Sequence, residues 1–401
     1  MRHYDQNKIL TDNQHGFRKR RSCETQLIAT VHEIVKGMAD GTQVDVVLLD
    51  FSKAFDKVPH ERLLRKLDFY GIRGTTLEWI GNFLKGRNQR VVLEGAHSEM
   101  AEVLSGVPQG TVLGPLLFLT YINDLPEVIK HSSTKLFADD SGVLKKIKNK
   151  KDQEKLQEDL RALEQWESDW LMEFNPSKCS VMNMREQKKD PLLFDYKLHG
   201  QVLEKTRTNK YLGVHLSNTM EWTTHIEHTA AKGHRTVGFL RRNFSSCSTE
   251  AKAATYTTMV RPILEYASVV WDPTLKKDID QLEKVQRVAA RYAKNNYRRE
   301  PGTVTSILSE LAWQPLEERR MSARLQMLFK IHTGLVDLDN NAFYRQADSR
   351  TRGNRLFQER TESLPQLHSS FFPRTLREWN KLPYQATSAP LLSTFRARAG
   401  L

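Results

Sequence analysis

Residues 136–144 read Leu-Phe-Ala-Asp-Asp-Ser-Gly-Val-Leu, so that Asp139 and Asp140 stand side by side between two apolar segments. This pattern predicts a β-hairpin whose tight turn carries both acids. Two carboxylates this close repel each other, and each raises the pKa of the other unless a positive charge lies between them. Hard oxygen ligands of this kind suit Mg²⁺. The stretch therefore predicts a divalent cation site at the turn of a hairpin.

A third acid follows another apolar segment. Residues 44–49 read Val-Asp-Val-Val-Leu-Leu and predict a mostly buried strand that ends at Asp50. Three acids that converge from separate strands need a cation, and such a set is typical of two-metal sites for phosphoryl transfer. Asp56, a little further along, is interpreted as the cap of a helix that begins near Pro59.

The composition is that of an ordinary folded chain of 401 residues, 39% hydrophobic and 27% charged, long enough for two or three domains. The net charge of +13 favours a polyanionic partner, although a solubilising surface would give the same excess. The densest basic segment is Lys145–Lys151, which could contact phosphates or be a solvated linker.

The sequence contains few signals of cellular location. No apolar stretch reaches the roughly 18–20 residues of a membrane span, and the first residues lack the apolar core of a signal peptide. Cys23, Cys179 and Cys247 are scattered, which fits a reducing compartment and gives no zinc knuckle or disulfide framework. We therefore expect a location in the nucleus or cytoplasm, and neither secretion nor membrane insertion.

Hydrophobic periodicity predicts a mixed α/β region followed by a mostly helical one. The predicted helices cover residues 22–38, 61–83 with a break at 71–74, 111–122, 152–172, 226–242, 249–260, 278–294 and 316–332. Besides those named above, the predicted strands are a pair around residues 90–104 and single strands at 180–184 and 196–202. The Arg-rich stretch 346–360 is predicted to be a loop.

Six ordered motifs together resemble those of a reverse transcriptase, in particular the non-long-terminal-repeat (LINE-type, jockey-like) retrotransposon enzymes. In chain order they are Gln14–Arg18, Asp50–Asp56, Ser105–Pro115, Phe137–Asp140, Asn175–Lys178 and Tyr211–Gly213. The resemblance covers residues 10–300. Because the chain begins almost at the first motif, we expect an N-terminally truncated member that lacks the upstream fingers strands.

The resemblance implies an α+β right-hand polymerase whose palm is an antiparallel sheet with helices. The implied domains are partial fingers at residues 1–43, the palm at 44–215, a helical thumb-like region at 216–300, and a C-terminal helical and loop extension at 301–401 whose role is open.

The implied activity is RNA-directed DNA polymerisation, in which a dNTP is joined to a primer 3′-hydroxyl on an RNA template. Two Mg²⁺ ions, or Mn²⁺ in their place, would be held by Asp50, Asp139 and Asp140. The implied partners are an RNA template, a DNA primer and dNTPs, and the oligomeric state is open. Two alternatives remain: an inactive relic or domesticated protein that only binds RNA or an RNA–DNA duplex, and an RNA-dependent RNA polymerase.

Further roles follow from the resemblance alone. Lys178 would be the general acid that protonates the leaving pyrophosphate. Phe55 matches the aromatic steric gate that excludes a ribose 2′-hydroxyl, although a phenylalanine in this place could also be plain core. The loop that would contact the template and the incoming nucleotide consists of Gly106, Pro108, Gln109 and Gly110.

One of these roles has a simpler interpretation, and the resemblance implies two more. Without the resemblance, the loop at residues 106–110 would be interpreted as a turn that enters a helix. Arg18 would meet template phosphates or the triphosphate, and it opens a basic cluster, Arg18–Arg21, that is a weak nuclear localisation signal. The primer grip would be formed by Tyr211, Leu212 and Gly213.

Overall fold

The computed structural model describes residues 2–345, 356–358 and 364–401. The chain divides into two compact units, the first made of residues 1–26 and 41–207 and the second of residues 27–40 and 208–401. Most of the loop predicted at 346–360 lies outside the described residues. In the ranges that are described, we find no helix long and apolar enough to traverse a bilayer.

The first unit alternates helices and strands around one sheet. Its helices, with a 3₁₀ helix at Leu125–Val128, are α1 (Arg2–Gln6), the start of α2 (Cys23–Ala39), α3 (Ala54–Lys57), α4 (His60–Phe69), α5 (Gly74–Leu84), α6 (Leu113–Tyr121) and α7 (Lys150–Trp170). Its strands are β1 (Gln43–Leu49), β2 (Asn88–Gln89), β3 (Val92–Leu93), β4 (Ala96–His97), β5 (Ala101–Glu102), β6 (Ser133–Phe137), β7 (Asp140–Ile147), β8 (Ser180–Met184), β9 (Lys197–Leu198), β10 (Gln201–Val202) and β11 (Glu204–Lys205).

The main sheet has five strands in the order β11-β8-β1-β7-β6. Only the β11–β8 pair is parallel. Strand β1 takes the central position because its Val-rich sequence can be covered on both faces, and all but one of its residues are buried. Its register pairs Leu49 with Ser141, and the neighbouring hairpin pairs Phe137 with Asp140. The end of β1 and the turn between β6 and β7 therefore lie at the same edge of the sheet.

The core of the first unit joins β1 and β7 to helices α4, α6 and α7. The periodic apolar residues of the helix predicted at 152–172 lie against the core: Leu156, Leu160, Leu163 and Trp166 are buried, and Trp170 is half-buried. Helix α7 begins where the side chain of Asn149 accepts a hydrogen bond from the backbone N–H of Asp152.

One acid lies inside the sheet. Asp45 in the middle of β1 is completely buried and accepts hydrogen bonds from the Tyr196 hydroxyl and from Asn183 Nδ2, both at 2.7 Å. Gln43 also donates to it, at 2.6 Å. Burial raises the pKa of Asp45, and the three donors oppose that rise. The network joins β1 to β8 and to the segment before β9, so the role of Asp45 is structural.

Two predicted features of the first unit differ from the structure. The single strand predicted at 196–202 is a hairpin of β9 and β10, because His199 and Gly200 both have positive φ and reverse the chain between them. The basic segment Lys145–Lys151 is not a linker but the end of β7 and the first turn of α7.

The second unit is helical apart from one hairpin, β12 (Thr208–Tyr211) and β13 (Val214–Ser217). It contains α2 from Leu27 onward and a π-helix at Tyr256–Val260. Its other helices are α8 (Thr223–Asn243), α9 (Thr249–Thr255), α10 (Arg261–Glu265), α11 (Ser268–Trp271), α12 (Lys276–Ala293), α13 (Thr303–Glu310), α14 (Leu316–His332), α15 (Asn340–Phe343), α16 (Pro365–Ser369), α17 (Phe371–Trp379), α18 (Tyr384–Thr387) and α19 (Leu392–Ala399).

A buried ionic network joins three parts of the second unit. Asp272, which follows α11, accepts from Arg320 Nε at 2.6 Å and from Arg324 Nε at 2.9 Å, both on α14. Arg374 on α17 lies 3.3 Å from the same carboxylate, and Arg324 also donates twice to Glu378 on α17. Because buried charges need partners on every side, the network fixes α11, α14 and α17 in one arrangement.

Candidate active site

Three acids lie at one edge of the main sheet of the first unit. Asp50 follows β1 directly, and Asp139 and Asp140 form the turn and first residue of β7. Since Leu49 pairs with Ser141 in antiparallel register, Asp50, which follows Leu49, lies beside Asp140. Ala138, at the start of the turn, has a left-handed backbone with φ of 53°. The sequence prediction that the three acids converge at a hairpin is consistent with this register.

The three carboxylates repel one another. Burial, with the charges of Asp139 and Asp50 as smaller causes, raises the pKa of Asp140 to about 6. Burial and the charge of Asp50 also raise the pKa of Asp139, against a backbone hydrogen bond that lowers it. The Oδ2 atom of Asp50 is buried and has no hydrogen-bond partner in the part of the chain that is described. Such a group gains from a cation, because a cation offsets both the repulsion and the missing hydrogen bond.

The acids do not form a finished coordination sphere. Within residues 2–345, 356–358 and 364–401, no three His, Cys, Asp or Glu side chains stand close enough together to hold a metal ion as they are. The donor set of three carboxylates nevertheless has the chemistry that Mg²⁺ prefers. The assignment of Asp50, Asp139 and Asp140 as metal ligands thus stays a prediction.

Lys178 lies beside Asp50, with its Nζ atom 3.4 Å from Asp50 Oδ2. The segment that carries it runs antiparallel to the residues after β1: Asn175 N–H donates to the Asp50 carbonyl at 2.7 Å. The side chain of Asn175 then accepts from the backbone N–H and hydroxyl of Ser177, which closes a tight turn. The turn is what places the ammonium group of Lys178 next to the acids.

Phe55 lies on the short helix α3 with its ring half covered. Its ring stacks on the ring of Phe118 from α6, with centroids 4.2 Å apart. The ring of Phe17 meets it edge-on at 6.4 Å, and Phe17 itself is 55% exposed and has φ of 53°. An exposed phenylalanine in a left-handed backbone is unusual, and the sequence analysis assigned Phe17 no role.

The loop before α6 lies directly on α3. Gly106 N–H donates to the Val58 carbonyl and Val107 N–H to the Phe55 carbonyl, both at 2.8 Å. Gly106 has φ of 90°, and a Cβ atom there would come within 2.7 Å of the Asp56 carbonyl oxygen. Only glycine permits this approach. The loop is therefore more than a helix-entry turn, because it is bonded to the helix that carries Phe55.

Asp56 does not cap α4, contrary to the sequence interpretation. It lies within α3, and α4 begins after Pro59 with no side-chain cap. Its carboxylate instead accepts a hydrogen bond from Gln109 Nε2 at 2.9 Å. The other two loop residues differ in their surroundings: Pro108 is buried, whereas Gly110 is exposed and an added Cβ atom there would meet nothing within 4 Å.

The first motif lies along the outer strand of the sheet. Arg18 Nη1 donates to the carbonyls of Leu10 and Thr11, at 3.1 and 2.8 Å, so this guanidinium takes part in holding its own loop. Gln14, 2% exposed, contacts Ala138 in the acidic turn. In the sequence Gln14 stood out only as part of the first motif, and the signal that could have singled it out is an amide two residues before a glycine.

The residues assigned to the primer grip belong to the second unit. Tyr211 ends β12, and Leu212 and Gly213 form its turn with φ of 45° and 83°. Tyr266 donates its hydroxyl to the Leu212 carbonyl at 3.0 Å, and a Cβ atom on Gly213 would come within 2.8 Å of the Tyr266 ring. The hairpin is thus held rigidly within its own unit.

Comparison with known families gives one match to a family model. Residues 1–216 match the family described as Reverse transcriptase (RNA-dependent DNA polymerase). All of the first-unit motifs and the hairpin at Tyr211–Gly213 fall inside the matched range.

Several curated proteins are similar in sequence. The probable RNA-directed DNA polymerase from transposon BS of Drosophila melanogaster is 27% identical over 71% of this chain and 32% of its own length. The RNA-directed DNA polymerase from mobile element jockey of the same organism is 26% identical over 90% of this chain and 41% of its own length. The chain thus spans about a third to two fifths of these relatives.

Among solved structures, the telomerase from Candida tropicalis in complex with a TWJ fragment of telomeric RNA is 9% identical, with a TM-score of 0.40. The match covers 76% of this chain and 50% of that one.

Proposed function

Because this chain belongs to the reverse transcriptase family, we propose that it is an RNA-directed DNA polymerase of a non-long-terminal-repeat retrotransposon. It would extend a DNA primer with dNTPs on an RNA template. The observation that supports the proposal is the edge of the main sheet, where the strand register brings Asp50 beside the turn of Asp139 and Asp140 and the pKa values of the last two are raised. Divalent cations would offset the mutual repulsion of these acids more fully than the single ammonium group of Lys178, which lies beside Asp50.

The three carboxylates would hold two Mg²⁺ ions, with Mn²⁺ able to replace them. When bound, such ions activate the primer hydroxyl and neutralise the charge of the triphosphate. The raised pKa values of Asp139 and Asp140 and the all-carboxylate donor set support this assignment. Asp50, Asp139 and Asp140 would serve as the oxygen ligands, and their side chains would draw together around the ions.

Lys178 would supply the proton of the reaction. Bond formation at the α-phosphate breaks the bond to pyrophosphate, and the oxygen that leaves with the pyrophosphate takes a proton. The ammonium group of Lys178 is the nearest cation to Asp50 that the structure gives, 3.4 Å from its carboxylate. The turn at Asn175 keeps it there.

Substrate selection would depend on α3 and the loop bonded to it. The ring of Phe55, fixed from below by Phe118, would occupy the volume that a ribose 2′-hydroxyl needs. Gln109 offers a donor and an acceptor for a base edge or sugar, and Gly106, Pro108 and Gly110 would allow the nucleotide to approach the backbone.

Two further assignments are proposed on the family match. Arg18, whose Nη1 atom donates to the carbonyls of Leu10 and Thr11, would meet template phosphates or the triphosphate. Tyr211, Leu212 and Gly213 would contact the primer strand. The net charge of +13 is consistent with a nucleic-acid partner in both cases.

Primer extension on an RNA template tests the proposal. The purified chain should extend a DNA primer with dNTPs and Mg²⁺, and Asp139→Ala should reduce the rate about 100-fold or more because it removes a metal ligand. Asp190→Ala, a change of an exposed acid in the same unit, is the matched control and should extend at the wild-type rate.

Two outcomes would contradict the proposal. Extension by Asp139→Ala at the wild-type rate would exclude the acidic turn as the catalytic site. RNA or RNA–DNA binding by a wild-type chain that adds no nucleotide would favour the inactive binding protein.

A further inference from the structure

We propose that Gln14 is a positioning residue, whose side-chain amide sets the conformation of the turn that carries Asp139 and Asp140. The inference rests on the proposed function, because the turn matters as a holder of metal ligands. Gln14 lies far from the acids in sequence and would not itself touch substrate. Its contacts with the turn are all within the first unit.

The backbone around Gln14 adds to the edge of the sheet. The N–H of Leu136 on β6 donates to the Asn13 carbonyl at 3.0 Å, and the N–H of His15 donates to the Leu136 carbonyl at 2.8 Å. These bonds form a parallel bridge between Gln14 and Leu136. His15 is anchored in turn, because its Nδ1 atom lies 2.8 Å from the Thr25 hydroxyl. The segment thus runs beside β6 up to the point where the acidic turn begins.

The side chain of Gln14 then holds the first residue of the turn. Its Oε1 atom accepts from the N–H of Ala138 at 2.8 Å and from the N–H of Gly16 at 2.7 Å. Its Nε2 atom donates to the Ala138 carbonyl at 3.5 Å. One buried amide therefore contacts both backbone polar groups of Ala138.

Ala138 needs such support. Its φ of 53° is a left-handed conformation, which is unfavourable for an L-residue with a Cβ atom. Asp139 follows at once, so its direction depends on how Ala138 is held. If the amide were lost, the turn would relax toward an ordinary conformation and the carboxylate of Asp139 would move away from Asp50 and Asp140.

Gly16 completes the arrangement. A Cβ atom at this position would lie 2.3 Å from the Ala138 nitrogen and 3.0 Å from Gln14 Oε1. No larger residue leaves room for the amide to reach the turn. The Gln-x-Gly pattern is thereby explained as one device: the glycine allows close approach and the glutamine uses it.

Manganese binding to the purified chain without nucleic acid or dNTP provides the test, read by electron paramagnetic resonance of the free ion. Gln14→Met keeps the side-chain length but removes all three side-chain hydrogen bonds, and it should weaken Mn²⁺ binding about 10-fold or more. The Mg²⁺ concentration for half-maximal primer extension should rise by a similar factor. Gln14→Glu keeps the acceptor for the Ala138 N–H and should restore part of the affinity.

Gln153→Met is the matched control. Gln153 is another buried glutamine of the first unit, and it donates to the Leu192 carbonyl at 2.7 Å, away from the acidic turn. This variant should lower the melting temperature as Gln14→Met does, yet keep wild-type Mn²⁺ affinity. If Gln14 contributed only to folding, both variants would change the melting temperature and the Mn²⁺ affinity in the same way.

Failure of this inference differs from failure of the proposed function. Wild-type Mn²⁺ affinity in Gln14→Met would overturn the inference even if extension is observed. A wild-type chain that binds Mn²⁺ through Asp139 but extends no primer would refute the polymerase proposal, while the affinity of Gln14→Met would still decide the inference. A wild-type chain that binds no Mn²⁺ would overturn both.

Discussion

At the scale of single residues, the chain uses a few side chains whose surroundings decide their chemistry. Asp139 and Asp140 are ordinary carboxylates whose pKa values are raised by burial and by the charges of neighbouring acids. Phe55 is an ordinary ring made rigid by the stack with Phe118. In both cases the surroundings fix the charge or the position of the side chain before any ligand binds, as a selective site requires.

The role of Phe55 leads to a prediction about sugar selection. Phe55→Val shortens the side chain and leaves space where a 2′-hydroxyl would fit. We expect the preference for dNTP over rNTP, measured as the ratio of kcat/KM values, to fall about 10- to 100-fold. The rate with dNTP should change much less, because the metal ligands are untouched.

Phe69→Val is the control for this prediction. Phe69 is 79% exposed on α4 of the same unit, so its truncation should leave the ratio unchanged. An unchanged ratio in Phe55→Val as well would show that Phe55 is plain core. The same result would reopen the RNA-dependent RNA polymerase alternative.

At the scale of elements, sequence patterns predicted the parts of the first unit that burial determines. Strand β1 and the β6–β7 hairpin follow from runs of apolar residues, and helix α7 follows from its stripe of leucines and tryptophans. Each of these patterns lies within one continuous stretch of sequence. This is why strand β1 and the hairpin that carries Asp139 and Asp140 could each be expected from the sequence.

Contacts between distant segments could not be predicted. Gln14 and Ala138 meet although 124 residues separate them, and Asp56 and Gln109 meet across 53 residues. Hydrophobic periodicity carries no information about such pairs, because any polar side chain satisfies the same pattern. The mistaken interpretation of Asp56 as a cap arose in this way: its partner lies on a loop that only the fold brings near.

The contact of that loop with α3 leads to a prediction about stability. Gly106→Ala places a Cβ atom within 2.7 Å of the Asp56 carbonyl and also strains a backbone with φ of 90°. We expect the free energy of unfolding of the first unit to fall by about 2–4 kcal/mol. Urea unfolding curves would measure the loss.

Gly110→Ala separates the two causes. Gly110 also has positive φ, at 74°, but no atom lies within 4 Å of an added Cβ. Its substitution should therefore cost only the backbone strain of about 1–2 kcal/mol. Equal losses in the two variants would mean that the loop does not press on α3.

At the scale of the whole molecule, the second unit is held together by buried charged residues, which are usually found at the surface of a protein. Arg320, Arg324 and Asp272 are buried, and they lie on segments separated by 48 and 52 residues. Charged residues are rarely buried, so composition alone would have placed them in solvent. Asp272 and helix α17, which lies in the 301–401 extension whose role the sequence leaves open, are joined in this network.

Buried histidines make the second unit sensitive to acid. His225 on α8 is 4% exposed, and its Nδ1 atom lies 3.2 Å from the His215 backbone nitrogen while its ring meets Trp271 edge-on. Burial, aided by the charges of His215 and His228, lowers the pKa of His225 to about 4. The unfolded chain takes up this proton near the ordinary pKa of about 6.5.

The stability that neutral His225 contributes is therefore complete above about pH 6.5 and is lost as the pH falls toward 4. At about 1.4 kcal/mol per unit of pKa difference, His225 alone should cost the second unit about 2 kcal/mol between pH 7 and pH 5. Hydrogen exchange of the α8 amides, corrected for the intrinsic effect of pH, would report this loss.

Replacing the imidazole with an amide tests whether this one side chain is responsible. The asparagine side chain of His225→Asn does not titrate, and its amide oxygen can replace Nδ1 as the acceptor. This variant should therefore lose about 2 kcal/mol less than the wild type between pH 7 and pH 5. His368→Asn, which changes an exposed histidine of the same unit, should leave the pH dependence as it is. Equal pH dependence in His225→Asn and wild type would mean that His225 is already charged in the folded unit.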